Sequence, residues 1–155
     1  MHSNFRNEFK GQVMKTNRVL IGGLLSLMFC FMTSIAVAAP HKMVIQVNSK
    51  DELTQKMAMV NAGNLKTMLG TDNVDVEVVV YGPGIDLLKV DSVFAPRIST
   101  LQEKNVRFSV CEGTLKRIKE KTGQEPNLLD GVQRVHTGAL RILELQEQGY
   151  SYLRP

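Results

Sequence analysis

Cys111 is the residue whose type and position are best suited to chemistry in this chain. It lies between the apolar run Val106–Val110 and the helix-forming stretch Glu112–Lys119. A strand that leads into a helix places the thiol at the carboxyl edge of a sheet and beside a helix N-terminus. Open α/β sheets bind ligands at that edge, and helix N-termini stabilise negative charge. The sequence therefore predicts a thiolate nucleophile at Cys111, with inert burial as a small apolar side chain as the alternative.

His136 is the candidate partner of this thiol. It follows the segment Gly131–Val135, which predicts the next strand, and its imidazole could act as the base or cation that keeps Cys111 ionised. A solvent-exposed position beside a helix N-cap is the alternative. Glu112 opposes ionisation of Cys111 if its carboxylate approaches the sulfur, and Gly113 lets the backbone come close to a bound group.

The turns that end the predicted strands supply the remaining candidate site residues. Because the carboxyl ends of parallel strands meet at one edge of a sheet, these turns are expected to form the walls of a single site. The predicted ligand-binding residues are Asn48, Tyr81, Gly82, Gly84, Glu112 and Gly113.

No motif predicts a cofactor or a metal. Gly82-Pro83-Gly84 has neither the G-x-G-x-x-G helix entry of dinucleotide sites nor the Lys-Ser/Thr of a P-loop, which favours a structural turn. One cysteine and two dispersed histidines after residue 40 make no ligand cluster. We therefore expect no bound cofactor and no metal.

Strand and helix patterns alternate along the chain. Apolar runs predict strands at 42–48, 74–81, 106–110, 131–135 and 150–153. Helical spacing and end signals predict helices that begin at Ser49, at Asp91 or Ser92, at Glu112 and at Thr137. This alternation is typical of a mostly parallel five-stranded sheet with helices on both faces.

Details of the first helices lead to further expectations. Ser49 and Glu52 have the spacing of a capping box, and Leu53, Met57, Val60, Leu65 and Met68 follow at helical spacing. We expect Met57, Met59 and Met68 to fill the core or an interface. The apolar residues Ile85, Leu87 and Leu88 could, with Tyr81, line a cleft or an oligomer contact, and burial against the second helix is the alternative.

Residues 1–38 have the pattern of a secretory signal peptide. Positive charges at Arg6, Lys10, Lys15 and Arg18 precede the apolar run Val19–Ala38, which ends in small residues. We expect cleavage after Ala38, with Ala39 as the alternative end. Cleavage would remove Cys30 and leave the protein periplasmic without stable membrane insertion. Met14 makes a more ordinary start, which would place residues 1–13 outside the natural chain. An uncleaved membrane anchor is the alternative.

The remaining residues, 39–155, are expected to form one domain. They carry fifteen Lys and Arg against fourteen Asp and Glu, so the net charge of +4 for the whole chain falls to +1. No Lys/Arg block is present, and this composition argues against nucleic-acid binding. A single cysteine in an exported domain is buried, bridges two chains or reacts.

Several segments together resemble the DsrE/DsrF-like family of small sulfur-relay proteins, in its exported branch. The segments are 44–48, 80–85, 105–115 and 145–153. The resemblance implies a three-layer α/β/α flavodoxin-like sandwich, assembly into a homo-oligomer, and a persulfide carrier at Cys111. Cytoplasmic carriers of the family have small residues and an arginine after their cysteine, where this chain has Glu112-Gly113-Thr114-Leu115.

Three hypotheses for function follow. In the first, an exported protein accepts sulfane sulfur on Cys111 from a donor protein or small donor and passes it to an acceptor. In the second, a non-catalytic ligand-binding or assembly module keeps Cys111 as buried packing. In the third, Cys111 forms an interchain disulfide, which its recessed position at a strand end disfavours.

Overall fold

The computed structural model describes residues 41–155. The predicted signal peptide, its cleavage site, Cys30 and the alternative start at Met14 lie outside the described residues. The strands are β1 (His41–Val47), β2 (Val74–Val80), β3 (Val106–Cys111), β4 (Gln133–Val135) and β5 (Ser151–Leu153). The helices are α1 (Glu52–Leu69), α2 (Ala95–Glu103), α3 (Glu112–Thr122) and α4 (Gly138–Glu147), with a 3₁₀ segment at Gly82–Leu88.

All five strands are parallel and form one sheet in the order β4-β3-β2-β1-β5. The four helices pack around the sheet, which gives a three-layer α/β/α sandwich of the flavodoxin-like kind, as the sequence predicted. The short strand β4 lies at one edge of the sheet. Within residues 41–155, no helix is long and apolar enough to span a bilayer.

The strand order determines which helices lie on which face. From β1 to β4 the chain moves one strand at a time in the same direction, so right-handed crossovers place α1, α2 and α3 on one face. The connection from β4 to β5 runs back across the sheet, which places α4 on the opposite face. We call these the three-helix face and the α4 face.

The three-helix face is packed with apolar side chains. Phe108, Val76 and Val78 from the sheet are fully buried there with Ile98 and Leu101 of α2. Helix α1 contributes Met59 with the small residues Ala58 and Ala62, and Leu115 of α3 completes the layer. This face therefore owes its packing to the hydrophobic effect.

The α4 face combines a small apolar cluster with buried charges. Ile142 and Leu145 of α4 pack against Val44 and Val79 of the sheet. The neighbouring inward positions of β2 and β3 are polar or charged instead of apolar. They are Asp75, Glu77, Arg107 and Ser109.

Two of the predicted helix starts need correction. The N-cap of α1 is Asp51, whose carboxylate accepts a hydrogen bond from the Thr54 amide at 2.8 Å, so the capping box predicted at Ser49 is wrong. Ser49 instead accepts a hydrogen bond from the Asp51 amide. Helix α2 begins at Ala95, after Phe94, because Ser92 forms a turn before it.

The buried side of α1 differs from the apolar stripe in its sequence. Leu53, Met57 and Met68 are 66%, 42% and 83% exposed, whereas Met59 is buried. The helix packs through Gln55, Ala58, Ala62, Gly63 and Lys66. Small side chains let the helix backbone approach the sheet closely, and this close approach outweighs the burial of larger residues.

The segment after β2 belongs to the core. Ile85, Leu87 and Leu88 are 4%, 0% and 0% exposed and pack on the three-helix face, so the expected oligomer contact at these residues is wrong. Gly84 allows this packing because a Cβ there would lie 2.5 Å from the carbonyl oxygen of Val47. Tyr81 packs separately, beside the apolar cluster of the α4 face.

Candidate functional site

The candidate site lies where neighbouring strands send their helices to opposite faces. Helix α3 follows β3 on the three-helix face, and α4 follows β4 on the other. Such a switch point opens a crevice at the carboxyl edge of an α/β sheet. Cys111 is the last residue of β3 and the N-cap of α3, so the sequence located this thiol correctly.

Amide groups from two helices surround the Cys111 sulfur. The Gly113 and Thr114 amides belong to the first turn of α3, and the Gly138 amide belongs to the first turn of α4. Amides of a first turn have no partner within their own helix and are free to stabilise an anion. The Cys111 side chain makes no cap hydrogen bond to the first turn of α3, so the α3 amides act on the sulfur mainly as dipoles.

These groups favour the thiolate despite burial. The Cys111 side chain is 8% exposed, and burial alone would raise its pKa. The Thr114 side chain and the three amides more than offset that effect, and the pKa of Cys111 lies below its ordinary value. The balance of these opposing effects produces a thiol that ionises more readily than a free cysteine.

Thr114 joins the thiol to the turn after β2. Its hydroxyl oxygen accepts a hydrogen bond from the Gly82 amide at 2.9 Å. Gly82 has φ of +55°, a left-handed conformation that glycine adopts without strain. With its oxygen occupied in this way, the Thr114 hydroxyl can donate its own proton to the Cys111 sulfur.

Gly138 allows α4 to reach the thiol. A Cβ at this position would lie 2.5 Å from Cδ1 of Tyr81, so only glycine fits against the aromatic ring. Thr137 caps the helix by accepting a hydrogen bond from the Leu140 amide at 3.1 Å. The Tyr81 ring and the α4 N-terminus therefore pack directly together beside Cys111.

Tyr81 and Asn48 form the side of the site nearest β1. Burial raises the pKa of Tyr81, the nearby Tyr152 adds to this, and the Asn48 side chain partly offsets it. Cys111 also acts on Tyr81, since negative charge on the sulfur raises the pKa of the phenol. Three strand ends, those of β1, β2 and β3, thus contribute to one site.

The remaining predicted site residues are His136, Glu112 and Gly84. His136 and Glu112 are exposed, and the groups that most affect the Cys111 pKa are Thr114, Gly138 and Gly113. Gly84 is buried against the end of β1, as described above. The structure thus brings Gly113 and Tyr81 close enough to act on Cys111, while Gly82 contacts Thr114 and Asn48 contacts Tyr81.

A buried ion network holds α4 against the sheet. Glu77 is fully buried, and both its carboxylate oxygens accept hydrogen bonds from Arg141 of α4 at 2.8 Å. Ser109 donates a further hydrogen bond to this carboxylate at 2.7 Å. Burial alone would raise the pKa of Glu77, but Arg141, Ser109 and Arg107 together lower it.

Arg107 extends this network across the sheet. It donates to Glu77 at 3.1 Å, to Asp75 at 3.0 Å and to the Tyr150 hydroxyl at 2.9 Å. Tyr150 also contacts Asp75. Arg141 also pairs with Glu144 at 3.6 Å, so two arginines are shared among three carboxylates. Arg141 lies one helical turn from the Gly138 amide.

Sequence reasoning missed Thr114, Gly138 and the network. The Thr137-Gly138 pair was a usable signal, because an N-cap threonine before glycine at a strand end exposes backbone amides. Thr114 is the third residue of α3, and the amide at that position faces the N-cap residue, which is Cys111. No local pattern linked Glu77 to Arg141, which are 64 residues apart.

A cleft also lies at the amino ends of the strands, at the edge of the sheet opposite to Cys111. It has a volume of about 770 Å³ and includes Lys66, Asp72 and Asp130, with no Cys or His in its lining. The Lys66 amine donates to the carbonyls of Thr71 and Val74, which satisfies it locally. Across residues 41–155, no group of three His, Cys, Asp or Glu residues could hold a metal ion.

Comparison with known proteins agrees with this fold. A solved structure of a protein of unknown function from Methanobacterium thermoautotrophicum is 32% identical, with a TM-score of 0.66. The match covers 74% of this chain and 99% of that one. No curated protein matches. Residues 41–155 match the DsrE/DsrF-like family, and the chain therefore belongs to that family.

Proposed function

We propose that this protein accepts sulfane sulfur on Cys111 and relays it as a persulfide. The observation that carries the proposal is the arrangement of amides from α3 and α4, with the Thr114 side chain, around one thiol whose pKa is lowered. Membership in a family with a sulfur-relay-type fold supports it. A thiolate is the form that attacks sulfur, and the same amides would stabilise the persulfide anion that results.

The transfer is a thiol–disulfide type of exchange. The Cys111 thiolate attacks the outer sulfur of a donor persulfide, R–S–S⁻. The donor S–S bond breaks and leaves R–S⁻ with the electron pair. A new S–S bond forms between the Cys111 sulfur and the transferred sulfur, which carries the negative charge. No external oxidant or reductant is needed. Transfer to an acceptor thiolate repeats the same step in the other direction.

The test is the intact mass of the protein after brief exposure to a polysulfide. We expect the native protein to gain one sulfur atom faster than the same chain unfolded in urea, because the fold stabilises the thiolate. Cys111→Ser should gain none. If the native thiol reacts more slowly than the unfolded one, Cys111 is shielded and the carrier proposal fails.

The low exposure of Cys111 favours the second candidate function. At 8% exposure the sulfur could be packing in a non-catalytic ligand-binding or assembly module. This candidate predicts slow alkylation of the folded protein and normal alkylation of the unfolded one. Cys111→Ser would then change stability without removing an activity.

We further propose that the protein works in the periplasm as a homo-oligomer. Residues 1–38 support export by their signal-peptide pattern, and N-terminal sequencing of periplasmic protein should begin at Ala39. Leu140 and Leu143 on α4 and Tyr152 on β5 are 43%, 53% and 43% exposed, which supports assembly. A sedimentation mass equal to one chain would contradict the homo-oligomer.

A further inference from the structure

A cleft that shares Thr114 with the Cys111 site carries three basic side chains without acidic partners. It lies between the 3₁₀ segment and α3 and has a volume of about 320 Å³. Lys50, Arg117 and Lys121 line it, and none of them makes an ion pair within residues 41–155. The one carboxylate in the lining, Asp86, pairs with Lys89. The cleft therefore has an excess of positive charge.

Helix energetics alone do not explain this convergence of charge. Lys121 lies in the last turn of α3, where a cation is favourable for any helix. Arg117 is in the middle of the helix, and Lys50 comes from the loop after β1. Cations from separate elements that face one concavity raise the local concentration of anions there.

The cleft and the thiol share Thr114. Thr114, Arg117 and Lys121 are three and four residues apart on α3, so they follow one another along a single helix face. Thr114 lines the cleft with its neighbour Gly82, and its side chain also acts on the Cys111 sulfur. A small molecule held by Arg117 and Lys121 would therefore have its other end near Thr114.

The lining also indicates what kind of anion fits. Ile85, Ile118 and Pro83 provide an apolar surface between the basic residues and Gly82. A volume of about 320 Å³ is at the small end of the range for ligand sites. These features suit a short organic molecule with a carboxylate or sulfonate at one end.

We propose that Lys50, Arg117 and Lys121 form an anion-binding site that holds the charged end of the molecule that reacts at Cys111. This inference rests on the proposed function, because it names the class of donor for the same thiol. The donor is a small anion with its reactive sulfur at the end opposite to its carboxylate or sulfonate group.

The first test is an NMR titration of the protein produced from the full chain, with propanesulfonate as the anion. The neutral propanesulfonamide is the matched control ligand. We expect saturable binding in the low millimolar range, with shifts of the Gly82, Thr114 and Arg117 amides. No saturable shift at these amides, or equal binding of the neutral compound, would overturn the site.

Two charge-matched triple variants separate the cleft from general charge. The cleft variant carries Lys50→Gln, Arg117→Gln and Lys121→Gln, and we expect it to bind propanesulfonate about tenfold more weakly. The control variant removes three exposed lysines elsewhere, namely Lys56, Lys116 and Lys119. It should bind within about twofold of the natural protein. Equal weakening in both variants would overturn the site.

Chemical modification of Cys111 tests the link between the cleft and the thiol. The anionic 2-sulfonatoethyl methanethiosulfonate, whose reactive sulfur and sulfonate lie at opposite ends, is compared with its neutral 2-hydroxyethyl analogue, and their rate ratio is normalised to the unfolded chain. The cleft variant should lower this ratio about tenfold, and the control variant should not. An unchanged ratio in the cleft variant overturns the link. Failure of the proposed function shows separately, as slow reaction of the native thiol with the neutral analogue.

Discussion

The two faces of the sheet are stabilised by different interactions. The three-helix face buries Phe108 among aliphatic side chains, whereas the α4 face buries Glu77 between Arg141 and Ser109. An apolar layer stabilises a fold without fixing one orientation, since its contacts are non-directional. Hydrogen bonds and ion pairs have defined geometry. The α4 face therefore has the directional contacts, and it is also the face that positions the Gly138 amide at Cys111.

Removal of the largest apolar side chain should have the largest effect. Phe108→Ala leaves a cavity in the three-helix face and should lower the free energy of unfolding by about 4 kcal/mol. Met68→Ala, at a position of α1 that is 83% exposed, should change it by less than about 0.5 kcal/mol. Urea denaturation measures both. A loss below about 2 kcal/mol for Phe108→Ala would show that the three-helix face is loosely packed.

Disruption of the ion network should lower the free energy of unfolding by less than Phe108→Ala does, but it should also change the pKa of Cys111. Glu77→Gln removes the charge between Arg141 and Arg107 and should cost about 3 kcal/mol, since the carboxylate is fully buried and its partners are partly exposed. The pKa of Cys111 should rise, because α4 is no longer held in place. Thiol titration and denaturation are the measurements.

A double substitution separates charge balance from packing. Glu77→Leu with Arg141→Met removes both charges of the pair and should recover at least half of the stability lost in Glu77→Gln. The thiol pKa should stay raised, because apolar contacts do not restore the orientation of α4. If the double variant restores the thiol pKa as well, the network is not what positions the Gly138 amide.

The pH dependence of Glu77 provides an independent check. Its pKa is lowered by folding, so its contribution to stability is present above the ordinary carboxyl range and is lost as pH falls through the lower folded value. The difference in unfolding free energy between the natural protein and Glu77→Gln should therefore shrink in acid. A constant difference from neutral to acidic pH contradicts the ionised, paired state of Glu77.

Loss of the Thr114 hydroxyl should have a smaller effect, centred on the thiol. Thr114→Val removes one hydrogen-bond donor to the thiolate, worth about 1 kcal/mol, and should slow iodoacetamide alkylation about fivefold below the thiol pKa. Thr114→Ser keeps the hydroxyl and serves as the control. Equal rates in the Val and Ser variants would remove Thr114 from the site.

The smallest effect concerns stability at alkaline pH. Because the pKa of Cys111 is lowered in the folded protein, ionisation stabilises the fold as pH rises from the folded pKa toward the unfolded one, and this gain is lost as pH falls. The natural protein should become more stable relative to Cys111→Ser over that interval. The gain is small since burial opposes ionisation. The opposite trend would mean that the folded pKa is raised.

Local patterns in the sequence predicted the elements well, and the thiol with them. Strand β3 ends at Cys111 and α3 begins directly after it, because an apolar run and a helical stretch meet there. The predicted stripe of α1 was misleading, since Leu53 and Met68 are exposed while Ala58 and Ala62 face the sheet. Apolar periodicity identifies a helix, but close backbone packing decides which side is buried.

Residue types at the strand ends predicted part of the site. Asn48, Tyr81 and Gly113 lie near Cys111 because parallel strands bring their carboxyl ends together, which strand order alone implies. Thr114 and Gly138 were not predicted, and His136, which was, is exposed. Whether a group reaches a sulfur depends on the approach of two helices, and distances of that kind are absent from a linear pattern.

The sequence by itself determined the alternation of strands and helices, the position of one cysteine at a strand end, and the turns at the same edge. These depend on neighbours in the chain, through periodicity and capping. Only the tertiary structure decided that α4 returns on the opposite face, bringing the Gly138 amide to Cys111 and Arg141 to Glu77. The contact between Glu77 and Arg141 joins residues that are 64 positions apart, and it forms only when the whole sheet has assembled. No single segment therefore specifies it.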